Sequence, residues 1–269
     1  MISTRRLVAV AVLCPAIAVA GCSTSGAGHP SGNGATSTAS ASPALPPATD
    51  AAGLAELLRR GISAMSSVHL VLNVTTPSQA INSEGDAKLA DGTLQALDIT
   101  EQQGSGDKRR LLIVGQETYA QLGGTANPAG KPWLLITPNS TNPTARNLAT
   151  SLEAVRRSAS LEHFTAFASA ARSVTLVGKE SLNGSPVDHY SIEVDVAKLP
   201  NDTPGRQPLL AAGITTLPFE LYVDGQGRPV KATQDLTVQG QHTTTLIAFS
   251  KFNEPVSITA PPPDQVERS

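Results

Sequence analysis

Cysteine and aromatic residues are scarce in this sequence. Of its 269 residues only Cys14 and Cys22 carry a thiol, and Phe, Trp and Tyr together make up 3%. Both cysteines lie ahead of the stretch able to fold. That stretch therefore has no thiol for a disulfide, a catalytic nucleophile or a thiolate metal site. Its stability must come from packing, with a core built mainly from Leu, Val, Ile and Ala. Charge is nearly balanced, 20 basic residues against 22 acidic ones for a net of −2, so nothing favours nucleic acid as a partner.

Reactive constellations are missing too. His69, His163, His189 and His242 stand apart, with no H-E-x-x-H or paired-ligand spacing,. They read as surface residues of strands and helices. His29 is alone in a low-complexity stretch. No G-x-S-x-G elbow surrounds a serine, and Gly123-Gly124 lacks the Walker lysine pattern,. The expectation is a protein that is not an enzyme and uses no metal or other cofactor.

What is present begins at the N-terminus. Met1 to Arg6 carries two positive charges and Leu7 to Val19 is an apolar run, the pattern of a secretory signal peptide over residues 1–21,. About 13 residues at about 1.5 Å each reach roughly 20 Å, short of the roughly 30 Å that a spanning helix must cross. Val19-Ala20-Gly21-Cys22 then resembles the bacterial lipobox, in which the cysteine is acylated and becomes the N-terminus after cleavage. The resemblance implies a chain anchored by acyl groups on Cys22 to the extracytoplasmic face of the cell membrane. Two acyl chains anchor stably where one is marginal, at about 0.8 kcal/mol per buried methylene. A plain signal peptide with a chance cysteine is the alternative. Loss of Arg5 and Arg6 with the leader leaves 18 basic residues against 22 acidic ones, near −4.

Ser23 to Thr49 is almost entirely Ser, Thr, Gly, Ala and Pro, too poor in large apolar groups to offset the entropy of ordering,. Residues 22–49 read as a disordered tether with a reach of roughly 30 Å. Residues 50–269 read as one domain. Thr49 or Asp50 can cap a helix whose Leu54, Leu57, Leu58, Ile62 and Met65 share a stripe,. Val68, Leu70, Leu72 and Val74 then alternate as in a half-buried strand,. Strand-like runs follow at Gly85 to Ala90, Leu94 to Thr100, Arg110 to Gly115, Thr118 to Leu122 and Trp133 to Ile136, with a turn at Asp91-Gly92,.

Between Pro143 and Arg172 the period changes. Leu148, Leu152 and Val155 fit one helix; Leu161, Phe164, Phe167 and Ala168 fit a second, with Ser160 as its expected cap,. Strands resume at Val174 and Leu176, at Tyr190, Ile192 and Val194 beyond the Asn183-Gly184 turn, at Leu217 to Val223, at Val230 to Val238 and at Thr244 to Phe252,. An irregular Pro-containing stretch, Leu199 to Pro208, interrupts them, and Pro261 to Pro263 closes the fold. Roughly ten strands and few helices give an α+β protein with a large antiparallel sheet, one face wet and one covered.

The order of Ser67-Val68-His69-Leu70 after the first helix, Gly85-Asp86, Thr118-Tyr119, Lys131-Pro132-Trp133, Gly178-Lys179-Glu180 with Asn183-Gly184, and Ser250-Lys251-Phe252 before Pro261-Pro262 resembles the actinobacterial LppX/LprA/LprF/LprG lipoproteins. The resemblance spans about Leu54 to Pro262. It implies a U-shaped half-barrel with helices in its mouth, like the lipoprotein carrier LolA, and an acylated lipid or glycolipid in the hollow. The scarcity of aromatics and the Leu199 to Pro208 stretch depart from the family pattern.

Strand parity nominates the lining: Leu70, Leu72, Val74, Leu176, Tyr190, Ile192, Val194, Phe219, Leu221, Val223, Leu236 and Val238, with Phe164 and Phe167 from the helix,. Few rings and no expected buried charge suit flexible acyl chains better than a flat cofactor. Head-group selection would fall to the rim loops Gly123 to Pro132 and Leu199 to Pro208. The role implied is binding and carrying or presenting such lipids in the cell envelope, with an envelope transporter as a compatible partner. The rival is a sensor or partner-binding module of the same fold with a filled interior. A third reading, a hydrolase with a site assembled from scattered residues, has no motif behind it.

Overall fold

In a computed structural model of the chain, residues 44–106, 108–121, 130–140, 145–146, 149, 160–238 and 240–268 are described. The signal peptide, Cys22, most of the expected tether, Gly123 to Pro128 and the expected helix of Leu148, Leu152 and Val155 lie outside them. No helix among the described residues is long and apolar enough to cross a membrane.

The first helix, α1, spans Ala51–Ser63. The Asp50 carboxylate caps it, accepting the Gly53 N–H at 2.7 Å,. Its stripe of Leu54, Leu57, Leu58 and Ile62 is buried, as the spacing predicts,. A second helix, α2, covers Glu162–Ser169 and buries Phe164 and Ala168. Its cap position is Leu161 rather than Ser160, whose hydroxyl only makes a long 3.4 Å contact with the Glu162 N–H.

Twelve strands form one sheet among the described residues: β1 Ser67–Thr75, β2 Ala80–Ala90, β3 Thr93–Gln103, β4 Lys108–Val114, β5 Glu117–Gln121, β6 Trp133–Ile136, β7 Ala171–Leu182, β8 Ser185–Asp195, β9 Thr216–Asp224, β10 Pro229–Val238, β11 Gln241–Ser250 and β12 Val266–Glu267. Their spatial order is β12-β6-β5-β4-β3-β2-β1-β11-β10-β9-β8-β7. Every pairing is antiparallel except the short parallel contact of β12 with β6. Asp91-Gly92 and Asn183-Gly184 turn their hairpins with positive φ at both positions, the geometry that Asx-Gly pairs favour,.

The sheet curls. Ile113 of β4 and Leu97 of β3 share one core cluster with Ile192 of β8 and Leu221 of β9, on the same side as α1 and α2. Strands so far apart in the order reach the same helices only if the sheet wraps around them. The result is an α+β half-barrel with its helices against the concave face. A smaller cluster on the convex side joins Leu112, Tyr119 and Trp133 to Val266.

Several details differ from the sequence reading. Strand β2 starts five residues before Gly85, because Asn82, Ser83 and Glu84 are polar on both faces and give no alternation to read. The chain does not end its fold at Pro261 to Pro263. It returns to pair Val266 with Trp133, and Lys131 Nζ donates to the Val266 carbonyl at 3.0 Å. The Leu199 to Pro208 stretch leads into a short helix, α3, at Arg206–Ala211. Residues ahead of Asp50 already pack on the body: Ala48 belongs to the main core, and the Leu45 N–H donates to the Gly225 carbonyl at 2.8 Å.

Candidate functional site

The strand registers arrange the concave side chains in transverse rows. One row runs Leu72, Ile247, Ala232, Leu221, Tyr190 and Leu176 across β1, β11, β10, β9, β8 and β7. On the other arm, Gly85, Ile99, Leu111, Ala120 and Leu134 align across β2 to β6. One row further along, the chemistry changes. Val74 is followed by Thr245 and Gln234 on one arm, and Ser83 by Glu101 and Arg109 on the other. Aliphatic rows with a polar margin are what an amphiphile needs, since apolar chains leave water while the head stays among hydrogen-bonding groups.

The nominated residues divide by their cover. Leu70, Phe164, Tyr190, Ile192, Val194, Phe219, Leu221 and Val223 are buried in the main core. Leu72, Phe167 and Leu236 are only partly buried and pack against it. Val74 is buried outside that cluster, and Val238 is partly exposed. Leu176 is 39% exposed because β7 is the last strand of the sheet. Sequence reasoning missed Ile247, Ile99 and Leu111. Parity counted back from Phe249 finds Ile247; Ile99 and Leu111 are obscured by polar Ser83 and Glu101 on their own face.

The scarce rings are concentrated. Phe164 lies 6.0 Å from Phe219 and 5.6 Å from Phe249, and Phe167 lies 5.4 Å from Phe219, so four of the five phenylalanines seat α2 on the sheet. Charge is buried as well, against the sequence expectation. Asp188 is 6% exposed on the concave face and receives Lys179 Nζ at 2.7 Å. Burial pushes the Glu101 carboxyl up, with Arg109 opposing the shift,. Burial also pushes the Tyr190 phenol up, opposed by the hydrogen bond from Ala48 and helped by the Asp188 charge.

Two histidines are not free surface residues. On the convex face, His69 Nδ1 is 2.8 Å from Asp86 Oδ1 and its Nε2 is 3.3 Å from Glu84 Oε1. His189 lies between Glu180 and Glu220, 2.7 Å from each, and stacks on Tyr222 at 4.2 Å. Each set holds one imidazole between carboxylates on opposite sides, so the carboxylates do not converge on a point; no metal-binding group exists among the described residues. Separately, a cleft of about 480 Å³ opens between α1 and α2, lined by Arg59, Ile62, Asp91, Glu162, Thr165 and Lys198 among others. None of the nominated lining residues borders it.

The chain matches no protein-family model and no curated protein sequence. Its fold is similar to that of LprF from Mycobacterium bovis, at 15% identity over 78% of this chain and 96% of that one, with a TM-score of 0.49. It is similar to the lipoprotein LppX from Mycobacterium tuberculosis, at 15% identity over 77% and 99%, with a TM-score of 0.49. A LolA superfamily protein from Nitrosomonas europaea matches at 9% identity over 81% and 97%, with a TM-score of 0.27.

Proposed function

We propose that the protein is a membrane-anchored lipoprotein that binds an acylated lipid or glycolipid and carries or presents it in the cell envelope. The observation that carries this reading is the aliphatic concave face bounded by a polar margin, with Leu72, Leu111, Phe167, Leu236 and Ile247 left only partly covered beside the main core. Binding is sequestration, with no bond made or broken. Acyl chains leave water for these side chains, at about 25 cal/mol per Å² of apolar area buried. The head rests near Gln234, Thr245, Ser83 and Glu101. Anchorage through Cys22 and the tether keeps the hollow within reach of the membrane it serves.

A second reading has its own support. Under the helices the face is closed, with Tyr190 and Leu221 both at 0% exposure, which suits a sensor or partner-binding module with a filled interior. Organic extraction of the chain purified from its own envelope, followed by mass spectrometry, separates the two. A di- or triacylated species at up to one per chain supports carriage. No ligand, even after incubation with envelope lipids, supports the module. The anchor is tested by Cys22→Ser, which should release the chain from membranes into the aqueous phase.

A further inference from the structure

The sheet is not laddered evenly along its length. The strands from β12 to β2 form one arm and those from β1 to β7 the other, so the arms join where β1 meets β2. Between these two strands only Ser67 with Lys88 and Val68 with Ala87 complete ladder pairs. From His69 to Thr75, β1 is laddered to β11 alone, while β2 stays paired to β3 from Ile81 to Ala90. The turn that connects them does close, with the Thr76 N–H donating to the Gln79 carbonyl at 2.9 Å. A seam therefore runs from Leu70 and Gly85 to Val74 and Ile81, held at both ends and unladdered between them.

The residues of the seam explain where the ladder stops. Gly85 lies so close to β3 that a Cβ there would overlap the Asp98 carbonyl, an approach that only glycine permits. It holds β2 to β3 at the point where β2 leaves β1. On the concave side Ser83 is 1% exposed, yet its Oγ has no hydrogen-bond partner, a cost that packed interiors avoid. Leu72 is only partly buried. On the convex side His69 of β1 reaches Asp86 and Glu84 of β2 with its two ring nitrogens, so side chains bridge where the backbone ladder does not. The main core grips one end alone. Val68, Leu70, Ala87 and Leu89 belong to it, whereas Val74 and Ile81 are buried outside it.

We infer that this seam is the part of the wall that opens to admit an acyl chain, β1 and β2 parting beyond the ladder at Ser67 and Val68, with His69 as the latch. A stretch without its ladder opens at lower free energy than its laddered neighbours. Parting exposes Leu72, where the aliphatic row of its arm begins, and gives Ser83 Oγ access to the partner it lacks, a water or an ester carbonyl. What passes through rests on the lipid-binding reading; where the sheet opens rests on the strands alone.

The test combines amide exchange with lipid capture on the full chain. The Leu89 N–H bonds to the Ser66 carbonyl across this join, and the Gly104 N–H bonds to the Ala80 carbonyl on the β3 side. Since direction alternates along a strand, the amides of Leu70, Leu72, Val74, Ile81, Ser83 and Gly85 point into the seam, and those of Val71, Asn73, Asn82 and Glu84 point away from it. The first set should exchange at least about tenfold faster than the second. His69→Val should widen that difference and speed capture of a phospholipid bearing a fluorescent acyl chain. Asn73→Cys with Asn82→Cys places thiols opposite each other in the continued register of Val68 with Ala87. Oxidising that pair should slow capture at least about tenfold, and dithiothreitol should restore it. Circular dichroism and thermal unfolding check that each variant keeps its fold. Exchange that does not alternate along β1 and β2 overturns the seam. Capture indifferent both to His69→Val and to the disulfide overturns its role as the way in. A parent chain that captures no lipid while the alternation holds overturns the passage of acyl chains together with the lipid-binding reading, and supports the opening of the sheet.

Discussion

The backbone N–H of Ala48 donates to the hydroxyl of Tyr190 at 2.9 Å, joining residues 142 positions apart. Tyr190 is fully buried at the centre of the concave face, and Ala48 is 7% exposed. Tyr190→Phe keeps the ring packing and removes the acceptor, leaving a buried N–H with no partner. The expected loss is about 1–3 kcal/mol of stability, read from the urea midpoint. A neutral outcome would mean that water reaches Ala48 and that residues 44–48 are not part of the packed body.

Gly61 and Gly227 set how closely α1 approaches the β9–β10 turn. A Cβ at position 61 would overlap the backbone carbonyl of Gly227, and Gly227 itself has φ +79° and lies against the Leu57 carbonyl. Neither side of the contact is a flexible side chain that can move aside. Gly61→Ala should therefore cost about 1–3 kcal/mol even though alanine favours helix. Unchanged thermal stability would show that α1 rides further from the sheet than this contact requires.

The fold was legible where local pattern and long-range structure agree. Asp91-Gly92 and Asn183-Gly184 announce their turns because only a few residue types tolerate their positive φ. In β8 and β9, Tyr190, Ile192, Leu221 and Val223 alternate with polar partners and reveal their face directly. It was not legible where register decides. The clamps on His69 and His189 use carboxylates from neighbouring strands, and no spacing in the chain records that meeting. β12 is two residues whose pairing with β6 has no period to detect. For the candidate site, parity identified the face but could not separate sealed Leu221 from half-open Leu72 and Leu236, because that depends on where α1 and α2 lie across it.

His163 packs at 4.2 Å from Phe164 and 5.8 Å from Phe167. Its Nδ1 is bonded to the Ser160 carbonyl, so that nitrogen carries the proton. Burial holds the imidazole below its usual value of 6.5, with the Ser160 carbonyl opposing the shift,. A depressed folded-state value means that the unfolded chain takes up the proton first as pH falls. The stability His163 contributes is thus present above about pH 6.5 and is lost on acidification through the folded value. Unfolding midpoints measured from pH 8 to pH 5 should fall less steeply for His163→Leu than for the parent chain. Parallel slopes would place the ring in water.

The hollow itself is tested by tryptophan at three positions of differing cover. Leu221 is at 0% exposure beneath the helices, whereas Leu72 and Leu236 lie on the same face and are only partly buried. Leu221→Trp has no space to enter and should destabilise by about 1–3 kcal/mol. At positions 72 and 236 the indole has open volume beside it, so the fold should hold while the volume open to acyl chains shrinks. Capture of a phospholipid bearing a fluorescent acyl chain should then fall in Leu72→Trp and Leu236→Trp at nearly unchanged urea midpoints. Leu221→Trp should show the reverse, a lower midpoint with capture per folded molecule retained. Comparable unfolding at all three positions would mean that the whole face is packed alike and leaves no room for a lipid chain.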